Sequence, residues 1–224
     1  MKADIEASKK AAGEKAAEYV RDGMVIGLGT GSTVRYFIEH LAAKIRKESI
    51  DVAGVPTSTA TEKLARAANI PLIALSGCEG IDLDVDGADE VDAKFNLIKG
   101  GGGAHTREKI VAGASREFIV IVDASKVVGR IGAFPVAVEV LPFAESPVRK
   151  EISALGGLAK RREGFLTDNG NIILDARFSI IDAEALEEDL KSIPGVVESG
   201  IFAKRRPEKV IVGDGEKTRV MERG

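Results

Sequence analysis

The chain has 224 residues, of which 44% are hydrophobic and 30% charged, with a formal net charge of −3. These values are typical of a globular protein and give no bulk electrostatic attraction to nucleic acid. The single cysteine, Cys78, excludes an intrachain disulfide, and no apolar stretch approaches the roughly 18 residues of a membrane span. We therefore expect a cytoplasmic protein with neither a nucleic-acid partner nor a membrane partner.

Predicted helices and strands alternate over the first 125 residues. In chain order they are a helix at 3–21, a strand at 24–29, a helix at 34–48, a strand at 50–58, a helix at 59–69, a strand at 70–75, a strand from 81 that runs into an acidic loop, a helix at 107–115 and a strand at 116–125. This alternation predicts a parallel sheet covered by helices on both faces.

The pattern changes after residue 131. A strand is expected at 134–143, a helix from Ser146 with Pro147 in its first turn, a hairpin turn at 168–171, a helix at 183–193 and a strand within 195–203. This order predicts a small α+β layer of split-βαβ, ferredoxin-like type. A last strand at 209–215 would return to the first sheet. The expected fold class is thus α/β, with a Rossmann-like catalytic domain (1–131 and 205–224) and an inserted lid or interface domain (132–204).

The first glycine-rich turn, GLGTGST, lies between a predicted strand and a predicted helix. Its backbone amides and hydroxyl groups favour phosphate or carboxylate binding by Thr30, Gly31, Ser32 and Thr33. Val34 occupies the position where a dinucleotide-binding turn would have its third glycine. Tight turn geometry alone is the alternative explanation. The next loop, PTS, could likewise either cap a helix or contact a ligand.

The VDGADE motif places Asp86 and Asp89 three residues apart around Gly87. Two carboxylates at the end of a strand suit acid/base chemistry, since their mutual repulsion raises one pKa. They could also ligate a metal, but no histidine or cysteine cluster lies nearby, and Lys99 would compete for the carboxylates. We therefore predict no metal site.

The most informative motif is IKGGGGAHTREK, in which Lys99 precedes four glycines and Glu108 follows nine residues later. An ammonium beside free backbone amides stabilises negative charge that develops on oxygen. A nearby glutamate is suited to removing a proton alpha to a carbonyl. His105 is a weaker acid/base candidate, because a lone histidine is usually packed or exposed, and Arg107 could pair with the acids or with phosphate.

Two basic features have both a surface and a ligand interpretation. Lys126 follows a strand in VDASK and could contact phosphate or lie on the surface. The cluster Lys204, Arg205, Arg206 and Lys209 is best explained as a solvated surface, with contact to an anionic ligand or another subunit as the alternative.

The motifs GTGST, PTS, VDGADE, IKGGGGAHTREK, VDASK, FPVAVEV and TDNGNIILD occur together, nearly end to end, in an order that resembles type A ribose-5-phosphate isomerases. The resemblance implies a metal-free, cofactor-free isomerase that interconverts ribose 5-phosphate and ribulose 5-phosphate in the pentose phosphate pathway. It also implies a homodimer or homotetramer. Two positions depart from the family pattern: Gly103 stands where bacterial relatives often have alanine, and His105 replaces an apolar residue.

The resemblance also implies roles for individual residues. Glu108 matches the general base, Lys99 the lysine that stabilises the enediolate, and Asp86 and Asp89 the two family aspartates. The implied substrate-binding set comprises Thr30, Gly31, Ser32, Thr33, Asp86, Gly87, Ala88, Asp89, Lys99, Gly100, Gly101, Gly102 and Lys126.

Three other functions remain open from the sequence. A sugar-phosphate sensor of a transcription regulator would share this kind of sheet, but the 23 residues before the first strand are too few for a helix-turn-helix. An amino-sugar phosphate deaminase and a coenzyme A transferase would need a substrate panel to distinguish them.

Overall fold

The structure, a computed structural model, describes residues 2–224, with side chains from residue 4 onward. Its α-helices are α1 Lys2–Ala17, α2 Ser32–Glu48, α3 Thr59–Ala67, α4 His105–Ala114, α5 Glu145–Ala154 and α6 Ala183–Ser192. Its strands are β1 Val25–Leu28, β2 Ala53–Pro56, β3 Ile81–Asp86, β4 Glu90–Val91, β5 Leu97–Ile98, β6 Ser115–Asp123, β7 Val136–Val140, β8 Leu158–Arg161, β9 Ile172–Arg177, β10 Val196–Ser199, β11 Ile201–Phe202, β12 Lys209–Asp214 and β13 Lys217–Glu222.

The chain divides into two compact units. Unit 1 comprises Met1–Gly87, Arg107–Val127 and Pro207–Gly224, and unit 2 comprises Ala88–Thr106 and Val128–Arg206. The expected domain borders at 131/132 and 204/205 lie close to the breaks at 127/128 and 206/207. Residues 88–106, which the expected borders place in the first domain, belong to unit 2, because β4 and β5 pair with each other and β5 with β11.

Unit 1 is built on a six-stranded sheet with the order β13-β12-β6-β3-β1-β2. All neighbouring strands are parallel except β12 and β13, which are antiparallel. The near-continuous apolar runs of β1 and β6 are typical of strands buried on both faces. Phe37 and Leu41 of α2 and Ala12 and Ala16 of α1 pack into one core cluster with these strands. The predicted parallel α/β fold is confirmed, and so is the return of the last predicted strand to the first sheet.

Unit 2 contains a four-stranded antiparallel sheet with the order β10-β7-β9-β8. Since α5 connects β7 to β8 and α6 connects β9 to β10, the element order is that of the predicted split-βαβ, ferredoxin-like layer. Val148 and Ile152 of α5 and Leu190 of α6 pack against β7 and β9 in a single core cluster. Pro147 lies in the first turn of α5, as expected.

One predicted strand is absent from the structure, and one observed strand was not predicted. Residues 70–75 form no strand: a single bridge joins Leu72 to Gly54, and a 3-10 turn, Leu75–Gly77, follows. The segment meets the edge of β2 through two backbone hydrogen bonds, from the Gly54 amide to the Pro71 carbonyl at 2.8 Å and from the Ile73 amide to the Gly54 carbonyl at 3.0 Å, which is too short a pairing for a strand. Strand β13, by contrast, has no apolar run in its sequence KTRVME: three of its six residues are charged, and none of the six is buried.

Candidate active site

The carboxyl ends of the parallel strands of unit 1 lie at a common edge of the sheet. Leu28, the last residue of β1, is in register with Pro56, the last of β2, and with Val85 of β3. In open α/β sheets, ligands bind beyond this edge. The predicted segments 29–33, 57–58, 86–87 and 124–126 all follow directly from these strands and from β6.

Asp86, at the end of β3, is completely buried and tied to the loop that follows β1. Its Oδ1 accepts hydrogen bonds from the Thr30 amide at 2.9 Å and from the Gly87 amide at 2.7 Å. A Cβ atom at Gly29 would lie only 2.2 Å from the same oxygen. Glycine is therefore required at position 29 for the acid to approach this backbone.

The Thr30 hydroxyl is the centre of a cluster of hydroxyl groups. It lies 2.8 Å from both Thr57 Oγ1 and Ser58 Oγ, and 3.1 Å from Thr61 Oγ1. Ser58 is also the N-cap of α3 and accepts from the Thr61 amide at 3.0 Å. The capping role considered for this loop is thus present, and the cluster fixes the position of Thr30; direct contact with a ligand stays a prediction.

The start of α2 follows the same loop. Gly31 is its N-cap, with φ at 136°, and has no side chain to occupy the amides of the first turn. Ser32 is exposed beside it. Such a helix start attracts anions, because its amides have no intrahelical acceptor and the helix dipole is positive there. Lys126 lies in a 3-10 turn after β6 and is partly exposed.

Glu108 is in the first turn of α4 and only 5% exposed. His105, the first residue of this helix, is completely buried, with Nε2 3.3 Å from the Glu198 carbonyl oxygen. Because the ring is completely buried, a packing role is the better explanation for His105 than a role in acid/base catalysis.

Unit 2 carries Lys99 and the glycine loop, residues 100–103. Lys99 is 2% exposed, and its Nζ lies 5.5 Å from the centre of the Phe202 ring. Its amide donates to the Gly200 carbonyl at 2.8 Å, which anchors the start of the loop. One step further, the Gly101 amide donates to Asp89 Oδ2 at 2.8 Å, and a Cβ at Gly101 would lie 2.7 Å from Asp89 Oδ1.

The loop closes as a tight turn in which two glycines have positive φ. Gly100 has φ at 104° and Gly103 at 75°, and the Gly103 amide donates to the Gly100 carbonyl at 3.0 Å. A Cβ atom at Gly103 would lie 2.3 Å from the Phe165 ring. The fourth glycine, which departs from the family pattern, is therefore matched to Phe165 in this chain.

Sequence reasoning missed Arg162, whose guanidinium holds the outer side of the glycine loop. Its Nη1 donates to the Gly100 carbonyl at 3.1 Å and to the Gly101 carbonyl at 3.2 Å. Asp175 holds the same guanidinium through two hydrogen bonds, of 2.9 and 2.5 Å. No local signal could have identified it, because Arg162 stands in the charged run KRRE.

The predicted site residues divide between the two units. Those in unit 1 are Thr30, Gly31, Ser32, Thr33, Asp86, Gly87, Glu108 and Lys126; those in unit 2 are Ala88, Asp89, Lys99, Gly100, Gly101 and Gly102. Within units, the structure brings Asp86 to Thr30 and Asp89 to Gly101.

Three of the four basic side chains of the cluster form ion pairs. Lys204 pairs with Glu188 at 3.0 Å, and Arg206 with Glu184 at 3.1 Å. Lys209 pairs with Glu117 at 2.6 Å. These pairs support a solvated surface rather than a ligand site.

Over residues 2–224, no three histidine, cysteine, aspartate or glutamate side chains are grouped so that they could hold a metal ion. In the same part of the chain, no helix has the length and apolar character needed to cross a membrane.

The fold and these side chains are those of an α/β enzyme. The family model described as ribose 5-phosphate isomerase A (phosphoriboisomerase A) matches residues 53–217, and the chain belongs to this family. A ribose-5-phosphate isomerase A of Legionella pneumophila (strain Philadelphia 1) is 56% identical over 202 residues, covering 90% of this chain and 92% of the relative. That of Methanothermobacter thermautotrophicus is 49% identical over 220 residues, covering 95% and 96%.

Solved structures of the same family are also similar to this chain over nearly its whole length. Ribose 5-phosphate isomerase A from Methanocaldococcus jannaschii superposes with a TM-score of 0.93 at 44% identity, covering 96% of this chain and 98% of the other. A D-ribose-5-phosphate isomerase in complex with phospho-erythronic acid has a TM-score of 0.95 at 44% identity, covering 98% and 99%. The predicted family and fold class are thereby confirmed.

Proposed function

We propose that this enzyme interconverts D-ribose 5-phosphate and D-ribulose 5-phosphate through an enediolate, in the non-oxidative branch of the pentose phosphate pathway. Membership of the ribose 5-phosphate isomerase A family carries the proposal. The related structure with phospho-erythronic acid, a phosphorylated sugar acid, supports a sugar phosphate as substrate.

Glu108 is proposed as the base that removes the C2 proton of the open-chain aldose. The C–H electrons then form the C1–C2 double bond, and negative charge develops on O1. Returning the proton to C1 gives the ketose. The low exposure of Glu108 supports this role, because a carboxylate shielded from water keeps its proton from exchanging widely with solvent and reacts at a defined position.

Lys99 and the amides of the glycine loop at Gly100 and Gly102 are proposed to stabilise the enediolate oxygens. Gly101 is proposed to line the substrate site, with its own amide donating to Asp89. Asp86 would transfer the hydroxyl proton between O2 and O1, and Asp89 would assist the opening of the furanose ring. Gly87 and Ala88, between the two acids, would contact the substrate. The hydrogen bonds of the two aspartates to loop amides support these roles, since they give each carboxylate a fixed orientation.

The phosphate is proposed to bind at the start of α2, with Thr30, Gly31, Ser32 and Thr33, and with Lys126. The uncapped first turn of α2 is the observation that supports this placement. The reaction as written requires no cofactor and no metal.

We further propose that the enzyme acts in the cytoplasm as a homodimer or homotetramer and that unit 2 supplies a lid or a subunit interface. Among the described side chains, the three most exposed large hydrophobic ones are Phe143, Ile181 and Leu158, at 100%, 89% and 77%, and all belong to unit 2. Burial of these side chains against a second copy of the chain would remove their apolar surface from water, which favours association. Light scattering during size-exclusion chromatography would measure the mass, and a monomer would contradict this part of the proposal.

The decisive experiment compares the wild-type protein with Glu108→Gln. We expect the wild type to form ketose from ribose 5-phosphate and the variant to lose on the order of 10²–10⁴-fold in kcat, which is the usual contribution of a general base. Ribose 5-phosphate should still raise the melting temperature of the variant, since the amide keeps the size of the side chain. If Glu108→Gln turned over ribose 5-phosphate at the rate of the wild type, the assignment of Glu108 as the base would be contradicted. Stabilisation by the sugar phosphate without turnover in either protein would indicate a sensor.

A further inference from the structure

Glu139, the last residue but one of β7, is a completely buried carboxylate that the proposed chemistry does not use. Its Oε1 accepts three hydrogen bonds from the turn between β8 and β9: from Thr167 Oγ1 at 2.8 Å, Asn169 Nδ2 at 3.1 Å and Asn171 Nδ2 at 2.7 Å. Its Oε2 accepts from the hydroxyl of Thr106, the second residue of α4. The carboxylate therefore joins two segments that are far apart in sequence, one through each oxygen.

This arrangement needs an ionised carboxylate. Burial raises the pKa of Glu139, but the hydrogen bonds from Thr106, Asn171, Asn169 and Thr167 lower it more, so that the pKa lies below its ordinary value. Four donors converge on two acceptor oxygens, whereas a glutamine offers a single acceptor oxygen, so that one side of the network would have to accept from the glutamine amide instead of donating. The TDNGN sequence thus supplies more than a hairpin turn: three of its side chains hold one buried charge.

Thr106 stands two residues before Glu108 in the first turn of the same helix. The first turn is the least tethered part of a helix, because its amides have no intrahelical acceptors. A buried, charge-assisted hydrogen bond to a side chain in that turn fixes both its position and its rotation about the helix axis. Displacing a catalytic group by about 1 Å can cost on the order of a hundredfold in rate.

We propose that Glu139 is a positioning residue for the isomerisation: through Thr106, it fixes the first turn of α4 and thereby the direction of the Glu108 carboxylate. The inference rests on the proposed function, since it assigns to Glu139 the orientation of the proposed base.

The test compares two variants, each of which lacks one of the hydroxyl groups that donate to the Glu139 carboxylate. Thr106→Val removes the bond to α4, and Thr167→Val removes a bond on the hairpin side. The Thr167 hydroxyl also accepts from the amides of Asn169 and Asn171, at 3.2 and 3.1 Å, so its loss should lower the melting temperature at least as much. A purely structural Glu139 would make kcat insensitive to which hydroxyl is removed.

We expect Thr106→Val to lower kcat on the order of 10- to 100-fold with little change in KM, and Thr167→Val to leave kcat close to that of the wild type. Thr106→Ser, which restores the hydroxyl, should recover most of kcat. If Thr106→Val does not fold, Thr106→Cys provides the same comparison, because its thiol is a weak donor.

Two results would overturn the inference: an unchanged kcat in Thr106→Val, or equal losses of kcat in both valine variants. These results differ from a failure of the proposed function, in which the wild-type protein itself would not turn over ribose 5-phosphate. In that case the positioning role fails together with the reaction it serves.

Discussion

Lys99 combines nearly complete burial with a position at the entrance to the glycine loop. An ammonium held in the protein interior interacts strongly with charge that develops beside it, because little water screens the interaction. Its value to the reaction should therefore appear in the transition state rather than in the initial binding of the sugar phosphate.

Replacing Lys99 with alanine should lower kcat by about 10²–10³-fold, the loss typical of removing one oxyanion-stabilising group, while KM changes much less. Steady-state kinetics with ribose 5-phosphate would measure both constants, and circular dichroism would confirm that the variant is folded. A rise in KM as large as the fall in kcat would instead identify Lys99 as an anchor for the phosphate.

At the scale of elements, side chains on and next to strands β8 and β9 hold the glycine loop in place. Arg162 directly follows β8, Asp175 belongs to β9, and the guanidinium between them binds two loop carbonyls. A planar guanidinium can satisfy the aspartate and both carbonyls at once, whereas a lysine ammonium is a single compact charge. The orientation of the loop amides thus depends on an arginine outside the loop.

Arg162→Lys should therefore lower kcat by about tenfold, because small displacements of catalytic donors are costly. The adjacent Arg161→Lys is the matched control: Arg161 forms an exposed ion pair with Glu145, and such pairs contribute about 0–1 kcal/mol. Kinetics and thermal unfolding of both variants would separate the two. Equal effects at 161 and 162 would show that the contact with the loop carbonyls does not matter for turnover.

The junction between β7, the β8–β9 turn and α4 should make stability depend on pH. Because the pKa of Glu139 is lowered in the folded protein, its contribution is complete above the ordinary glutamate pKa of about 4.3 and is lost as the pH falls through the lower folded value. Glu139→Gln should cost about 2 kcal/mol of unfolding free energy at pH 7. In urea titrations, that difference should shrink below about pH 4; a difference independent of pH would contradict the ionised network.

Across the whole molecule, the sequence predicted best what depends on local periodicity and on strand order. The alternation of strands and helices predicted the parallel sheet, and the structure then shows 29–33 and Asp86 at one edge of it, because parallel neighbours end together. The assignment of residues 88–106 to unit 2 could not be predicted, since it depends on the two-residue strands β4 and β5. Arg162 lies 62 and 61 residues from Gly100 and Gly101, the loop residues that it binds. Glu139 lies 33 residues from Thr106, and no local sequence pattern encodes contacts over such distances.

The distribution of charged groups also leads to a prediction on whether turnover depends on a metal ion. In residues 2–224 no cluster of ligating side chains is suited to a metal ion, while Lys99 and the glycine-loop amides offer the positive potential that a Lewis acid would otherwise supply. We therefore expect turnover of ribose 5-phosphate to be unchanged by excess EDTA and by later addition of Mg²⁺, Mn²⁺ or Zn²⁺. The measurement is kcat before and after dialysis against the chelator, with Lys99→Ala treated in parallel. Loss of wild-type activity in EDTA, with recovery on adding one of these cations, would show that a metal shares the stabilisation of the enediolate here assigned to Lys99.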